Sequence, residues 1–473
     1  MGLVVETLRL RPSALAALAA LIRTAQAFDR PADRLLSEWL RRHRVGSRDR
    51  WIVAEGFYAW LRYRLTIESV AAAGRSGSPA PEALALVALA RQFGASLLPP
   101  PAEVDRYAKW LSELRERSPH PRRELPAWLW DRLGRVAGER RSALAEALLM
   151  PAPLDLRVNT LKAKRDTVLE QLRAEDLTEA VPTPLAPHGI RLPQPSARRI
   201  DWSRHPLFES GAIEVQDEGS QLLAEFTGAR RGEVVVDFCA GAGGKTLALA
   251  ARMASTGQIY ALEVHPRRLA NLFPRVARSG ATNVQPMLIA DENDPKLERL
   301  HGKADRVLVD APCSGLGTLR RNPDLKWRQS PESVRELTSL QARILNAAAR
   351  LVRVNGRLIY ATCSLLREEN EAVVEAFLEE HRDAWAVSHD WAPLHPSGTL
   401  DKGGQEESNA TRPRATEEPP SRDRRMRSEH ETKPSTRAAG VAAVVLSEEG
   451  YLRLAPDTHG CDGFFAVALT RKR

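Results

Sequence analysis

VVVDFCAGAGGKT, residues 234–246, is the stretch on which the fold turns. Three consecutive valines, a glycine-rich turn and then helical spacing through "KTLALAARM" (245–253) read as strand, tight turn and helix. Such a turn lets the backbone approach a ligand and aims the first NH groups of the helix at it. Two nucleotide motifs are near misses. A phosphate-cradling P-loop wants glycine five residues before Gly244, where Cys239 stands, and a dinucleotide fingerprint starting at Gly241 wants glycine where Thr246 stands. What remains is a nucleoside ligand without a phosphate chain.

Outward from this turn the same alternation repeats. "GQIYALEV", "NVQPMLIA", "ADRVLVDAP" and "GRLIYATCS" are strand-like, and "PRRLANLFPRVARSG", "PESVRELTSLQARILNAAARLV" and "ENEAVVEAFLEEH" are helical in period. Strand and helix in alternation predict an α/β domain with a mostly parallel sheet and helices on both faces. Ligands of such sheets sit beyond the carboxyl ends of the strands, where the strand order reverses. Glu263 ends the second strand, placed to accept hydrogen bonds from two ribose hydroxyls, and Asp291 ends the third, facing the base edge. Capping of the next helix is the alternative role for each carboxylate.

The chain holds four cysteines. Cys313 follows the fourth strand and Cys363 the fifth; if these strands are neighbours, their ends lie about 5 Å apart and the two thiols meet at one site. Zinc wants local pairs such as C-x2-C, which the sequence lacks, so no metal is expected. A disulfide does not suit a reducing compartment. Inert burial is the remaining alternative, but both thiols sit among polar turn residues rather than in apolar runs. Two reactive thiols beside a nucleoside cofactor is the expectation.

The rest of the chain frames this domain. Residues 1–145 have helical spacing with arginines on the opposing faces, as in "DRWIVAEGFYAWLRYR", and predict an all-helical domain. Residues 150–210 alternate as a small α/β unit, and 211–473 form the large domain. The charged, Pro- and Ser-rich segment 397–440 within it is expected to stay disordered. "SALAALAALIRTAQAF" (13–28) mimics a secretory signal, but Arg23 interrupts it and its apolar residues keep helical spacing. No run of about 18 apolar residues is present, so no membrane partner is expected. A monomer in the cytoplasm is expected. The net charge of +9 favours an anionic partner.

"DFCAGAGGKT", "DAPCSGLGTLRRNPDLKW" (310–327) and "ATCSLLREEN" (361–370) resemble three ordered motifs of the RsmB/Nop/Sun family of RNA 5-methylcytosine methyltransferases. "LRVNTLK", "VQDEGSQLL" and "HGCDGFFAVAL" also resemble it, and "GSRDRWIVAEGFYAWLR" resembles more loosely the NusB-like N-terminal domain of its bacterial rRNA branch. Gly241 and Ala242 stand where the family commonly has Ala-Pro, and Cys461, expected to be structural, where threonine is frequent.

The resemblance implies a Rossmann-like class I methyltransferase domain and S-adenosylmethionine as cofactor. It implies Cys363 as the nucleophile on carbon 6 of cytosine, Asp310 as the group that hydrogen-bonds or protonates the ring nitrogen, and Cys313 as the group that helps release product. The backbone from Cys239 through Ala240, Gly241, Ala242 and Gly243 to Gly244 is expected against the methionine part of the cofactor. Lys245 is expected on the cofactor carboxylate. Arg320, Arg321 and Lys326 are expected to hold RNA phosphates, and Trp327 to anchor its loop. The substrate implied is rRNA of the small subunit. A tRNA substrate and a non-catalytic RNA-binding assembly factor stay open as alternatives, although the intact pair of thiols counts against the latter.

Overall fold

The computed structural model describes residues 8–43, 45–73, 77–116, 121–193, 200–391, 444 and 446–473. The segment 397–440, expected to be disordered, lies outside the described residues.

The N-terminal elements are β1 (Leu8–Arg9), α1 (Pro12–Ala25), α2 (Ala32–Arg42), α3 (Ser47–Arg62), α4 (Arg64–Ala71), α5 (Pro81–Phe93), β2 (Leu97–Leu98) and α6 (Val104–Glu116). In α5 every residue from Ala83 to Ala90 is buried, because a helix apolar on all sides belongs at the centre of a bundle. In α1, Leu15, Leu18, Ile22 and Ala25 recur at helical spacing and face the same core.

The helical pattern up to 145 divides in the structure. Helices α7 (Ala127–Ala137) and α8 (Arg141–Leu149) do not join the first core. Their Leu129, Leu133, Leu144 and Leu148 pack on Leu316, Leu319, Leu365 and Leu366, from the loops that follow Cys313 and Cys363. Next comes a small antiparallel sheet made of β3 (Leu154–Val158), β4 (Val181–Pro182), β5 (Gly189–Leu192) and β6 (Ile213–Val215), in the order β4-β5-β3-β6. It carries α9 (Arg165–Ala174) and the short α10 (Pro206–Glu209), and its last strand runs past the expected boundary at 210.

The large domain runs α11 (Glu218–Phe226), β7 (Val234–Asp237), α12 (Gly244–Arg252), β8 (Gln258–Glu263), α13 (Pro266–Ser279), β9 (Val284–Leu288), β10 (Ala304–Asp310), α14 (Leu325–Arg328), α15 (Pro331–Ala349), β11 (Val352–Thr362), α16 (Glu371–Glu380), β12 (Trp385–Val387), β13 (Tyr451–Leu454), α17 (Pro456–His459) and β14 (Phe464–Arg471). Its sheet has the order β12-β14-β11-β10-β7-β8-β9, with β13 also on β14. Strands β7 to β11 pair in parallel and β14 runs antiparallel to β11.

Side chains alternate across this sheet, as period two requires. Val235, Leu308, Ile359 and Ala361 meet α11 and α12 on one face. Val236, Val307, Val309, Leu358 and Tyr360 meet α15 and α16 on the other. The chain enters at the interior strand β7, builds outward to β9, then returns to lay β10 on the other side of β7. The strand order reverses there, between β7 and β10, the place where sheets of this kind take ligands beyond their strand ends.

The loop after β10 holds the domains together. Lys326 Nζ and Trp327 Nε1 donate to the carbonyls of Arg62 (2.6 Å) and Leu61 (2.9 Å) at the end of α3. Those carbonyls have no helical partner, and the end of a helix dipole favours a cation. Glu124 does the converse and accepts from the NH groups of Leu65 and Thr66 at the start of α4. Burial pulls the Lys326 ammonium down to about 7, with the Glu124 carboxylate opposing it, and burial pushes Glu124 up. Trp327 anchors its loop, as expected.

The same loop is stitched to the site. Gly317 NH donates to Cys363 O (2.9 Å) and Gly317 O accepts from Gly463 NH (2.8 Å). A Cβ at 317 would stand 2.1 Å from Gly463 O and 2.8 Å from Cys363 O, both immobile backbone atoms. Overpacking of this kind costs about 1–3 kcal/mol. Gly317→Ala is therefore expected to lower the melting temperature of the large domain by roughly 2–10 °C, measured by calorimetry; an unchanged melting temperature would show that the loops separate freely.

Candidate active site

Parallel pairing of β10 with β11 sets Asp310 opposite Ala361. Ala311 NH donates to Ala361 O (2.8 Å), which carries the register past the strand ends. Three residues beyond Asp310 and two beyond Ala361, the sulfurs of Cys313 and Cys363 lie 3.2 Å apart. Their convergence is the arrangement the two motifs were expected to produce. Both thiols are half-buried and open into a cavity of about 770 Å³ at the carboxyl ends of β7 to β11.

Cys239, Ala240, Gly241, Ala242, Glu263, Asp291 and Asp310 line that cavity too. Glu263 Oε1 accepts from His265 NH (2.8 Å) and Asp291 Oδ1 from Asn293 NH (2.8 Å), so each carboxylate caps the following turn while also facing the cavity. Gly241 has φ +57°, and a Cβ there would lie 4.0 Å from Glu263 Oε2, so glycine keeps the space between turn and carboxylate open. An open glycine turn facing a strand-end carboxylate, with the apolar Leu340 and Ile344 in the same wall, fits a nucleoside-bearing cofactor.

Gly243, Gly244 and Lys245 do not line the cavity. Gly243, at φ +87°, caps the start of α12, and a Cβ on it would collide with Leu272 Cδ1 at 2.1 Å, so it serves packing. Lys245, expected on the cofactor carboxylate, instead donates to Asp310 Oδ2 (2.6 Å). Burial alone would lower the Lys245 ammonium, but the Asp310 carboxylate outweighs burial and Cys363 adds to its effect, so the net direction is up and the lysine stays charged. It holds Asp310 beside the sulfurs. The Cys313 thiol is pushed well up, first by its hydrogen bond with Cys363, then by burial and by Glu369, and so keeps its proton. Burial also raises Cys239, and Cys461 is fully buried, as its structural role implies.

The three cations expected on RNA are turned inward. Lys326 is fully buried at the end of α3. Arg320 is buried and donates to the carbonyls of Gly460 (2.9 Å) and Cys461 (3.2 Å). Arg321 pairs with Asp217 and Asp462 (both 2.7 Å) and reaches Pro153 O (3.0 Å). Carboxylates and carbonyls of the chain itself occupy the donors that phosphates would take, so the expected phosphate contacts are not what these residues offer.

Sequence reasoning also passed over Glu369. Its buried carboxylate joins the loops of both cysteines, yet "REENE" reads as a solvated acidic run.

Sheet order and cavity are together those of a class I methyltransferase domain. A family model described as 16S rRNA methyltransferase RsmB/F matches residues 226–470, and one for the ferredoxin-like domain of RsmF/B-like methyltransferases matches 125–198. The chain belongs to the RsmB/F family. It is 38% identical over 267 residues to a probable ribosomal RNA small subunit methyltransferase B of Synechocystis, covering 56% of this chain and 59% of that protein. A probable ribosomal RNA small subunit methyltransferase B of Bacillus subtilis is 34% identical over 262 residues, covering 54% and 56%. The matches thus span somewhat over half the length of these relatives. A solved methyltransferase homolog protein from Pyrococcus horikoshii superposes with a TM-score of 0.54 at 25% identity, over 79% of this chain and 100% of that one.

Beneath the turn, Asp237 is buried and accepts from Thr246 Oγ1 (2.7 Å); burial raises it from 3.8 to about 6. The folded state therefore keeps a proton that the unfolded chain loses between those values. Stability falls as pH rises through that window, by at most about 1.4 kcal/mol per pH unit. Asp237→Asn cannot ionise, so its melting temperature relative to the parent is expected to climb from about pH 4 to about 6 and level off above. A difference independent of pH would refute the buried acid.

Proposed function

We propose that this chain transfers a methyl group to carbon 5 of a cytosine in ribosomal RNA of the small subunit, through a covalent adduct on Cys363. The observation that carries this is the pair of sulfurs 3.2 Å apart in the wall of a cofactor-sized cavity. S-adenosylmethionine, held by the turn from Cys239 to Ala242 with Glu263 and Asp291, supplies the electrophilic methyl group when bound. The rRNA target is supported by the relatives, which are named as small-subunit rRNA methyltransferases.

Carbon 5 of cytosine is a weak nucleophile. Addition of the Cys363 thiolate to carbon 6 makes it enamine-like and able to attack an electrophilic carbon. Negative charge develops on the ring nitrogen, so Asp310 must carry a proton to hydrogen-bond it; the Lys245 ammonium, which donates to Asp310 Oδ2, is the adjacent source of that proton. Cys313, kept as a thiol, lies 3.2 Å from the Cys363 sulfur, within reach of its S–H. Release requires that the carbon 5 proton leave to a base such as water. The C–H electron pair then closes the 5,6 double bond as the carbon 6–sulfur bond breaks. Cys363 departs as a thiolate into the hydrogen bond of the Cys313 S–H. Two thiols are needed because one is occupied covalently while the other acts.

Cys313→Ala protein with substrate RNA and S-adenosylmethionine is expected to accumulate a covalent protein–RNA adduct on denaturing gels, and Cys363→Ala to form none. An adduct on Cys363→Ala would reverse the two roles. Bisulfite sequencing of rRNA and tRNA from a deletion strain locates the target: loss of a 5-methylcytosine from small-subunit rRNA is expected. Loss from tRNA would move the substrate, and retention of every 5-methylcytosine would leave a non-catalytic binding role.

A further inference from the structure

The residues that follow the two cysteines are both serines, and both are buried. Ser314 and Ser364 stand side by side as their cysteines do, with hydroxyls 3.3 Å apart against 3.2 Å for the sulfurs. The sulfurs open to the cavity, and the hydroxyls meet on the inner side at a single carboxylate. Glu369 Oε2 accepts from Ser314 Oγ and Ser364 Oγ, each at 2.5 Å. Glu369 Oε1 accepts from Ser314 NH (2.7 Å) and Gln341 Nε2 (3.1 Å), and that amide also donates to Pro312 O (2.9 Å).

Glu369 has no solvent exposure, and among the described residues no cation pairs with it. A buried carboxylate without a counter-ion is an expensive way to fill space, and an apolar side chain of similar volume would pack the same gap at lower cost. The carboxylate supplies what an apolar residue cannot: acceptors for donors on both loops at once. Its own backbone is fixed as well, since Tyr360 OH donates to Glu369 O (2.6 Å), and the next residue, Asn370, ties its Nδ2 to Ser364 O (3.0 Å).

We propose that Glu369 is a positioning residue that sets the distance between the two sulfurs by drawing Ser314 and Ser364 onto one carboxylate. Parallel pairing ends with Asp310 opposite Ala361, and beyond it the backbones of the two loops meet through Ala311 NH to Ala361 O and Gly317 NH to Cys363 O, which leave the side chains between them to be set. The carboxylate takes over where the ladder ends. The consequence for catalysis rests on the function proposed above; the spacing itself does not.

The test reads the spacing directly. In the full chain, diamide takes two electrons and two protons from Cys313 and Cys363 and leaves a disulfide, whose rate is followed by peptide mass mapping. Glu369→Ala and the double variant Ser314→Ala/Ser364→Ala are expected to form it about ten-fold more slowly, and to lower methyl-transfer kcat by about 10- to 100-fold with KM for S-adenosylmethionine unchanged. Glu369→Gln, whose amide can accept from Ser314 NH and donate to the hydroxyls, is expected to recover most of both rates. If Glu369→Ala does not fold, the double-serine variant, which keeps the buried carboxylate, decides. An unchanged disulfide rate in the folded double-serine variant would overturn the proposal, as would Glu369→Gln no faster than a folded Glu369→Ala. A parent chain that methylates no RNA would sink the proposed function and leave the disulfide rates to decide the role of Glu369.

Discussion

The pairing of β10 with β11 is the constraint on which the site depends. Parallel strands with Asp310 level with Ala361 deliver two chain segments, fifty residues apart in sequence, to the same edge at the same height. A slip of one residue would turn every side chain of one strand to the opposite face and carry one sulfur away from the other. The register is held because both faces of both strands are buried: Leu308 and Ile359 toward α11 and α12, Val307 and Leu358 toward α15 and α16. Core packing and chemistry share one specification.

Electrostatics in the site follow from having several acids in a confined space. Asp237, Glu263 and Asp310 lie close enough together that each acid raises the Cys239 thiol, and Asp310 and Glu263 push Asp237 upward. Lys245 is the counterweight, a buried ammonium that stays charged because Asp310 holds it. Cys313 is kept protonated by its neighbour sulfur rather than by a distant group. Protonation in the site is thus divided by contact: one thiol keeps its proton, and a lysine and a carboxylate neutralise each other beside it.

Much of the large domain was legible in the sequence because its signals are periodic. Apolar runs of strand length, helices of period 3.6 and the glycine turn gave the sheet, and the positions of Glu263, Asp291, Cys313 and Cys363 at strand ends followed from it. Less was legible where a side chain's partner is fixed only by tertiary contact. Arg320, Arg321 and Lys326 carry the charge that RNA wants, but the same charge answers buried carbonyls and carboxylates, and nothing in the string distinguishes the two uses. Glu369 sits among Glu368 and Glu371, whose letters are identical and whose surroundings are not. Helices α7 and α8 are amphipathic, and amphipathicity names a face without naming the surface it covers.

The stretch that carries Cys313 also closes the end of α3, and this makes the N-terminal helices part of the catalytic half rather than an appendage to it. Were the helices pulled away, the lysine and indole at 326 and 327 would lose the carbonyls they serve, and the span from Gly317 to Trp327 would lose its far mooring while still fastened beneath Cys363. The span from Gly317 to Trp327 is therefore moored at both ends, under Cys363 by its backbone and on the last turn of α3 by two side chains.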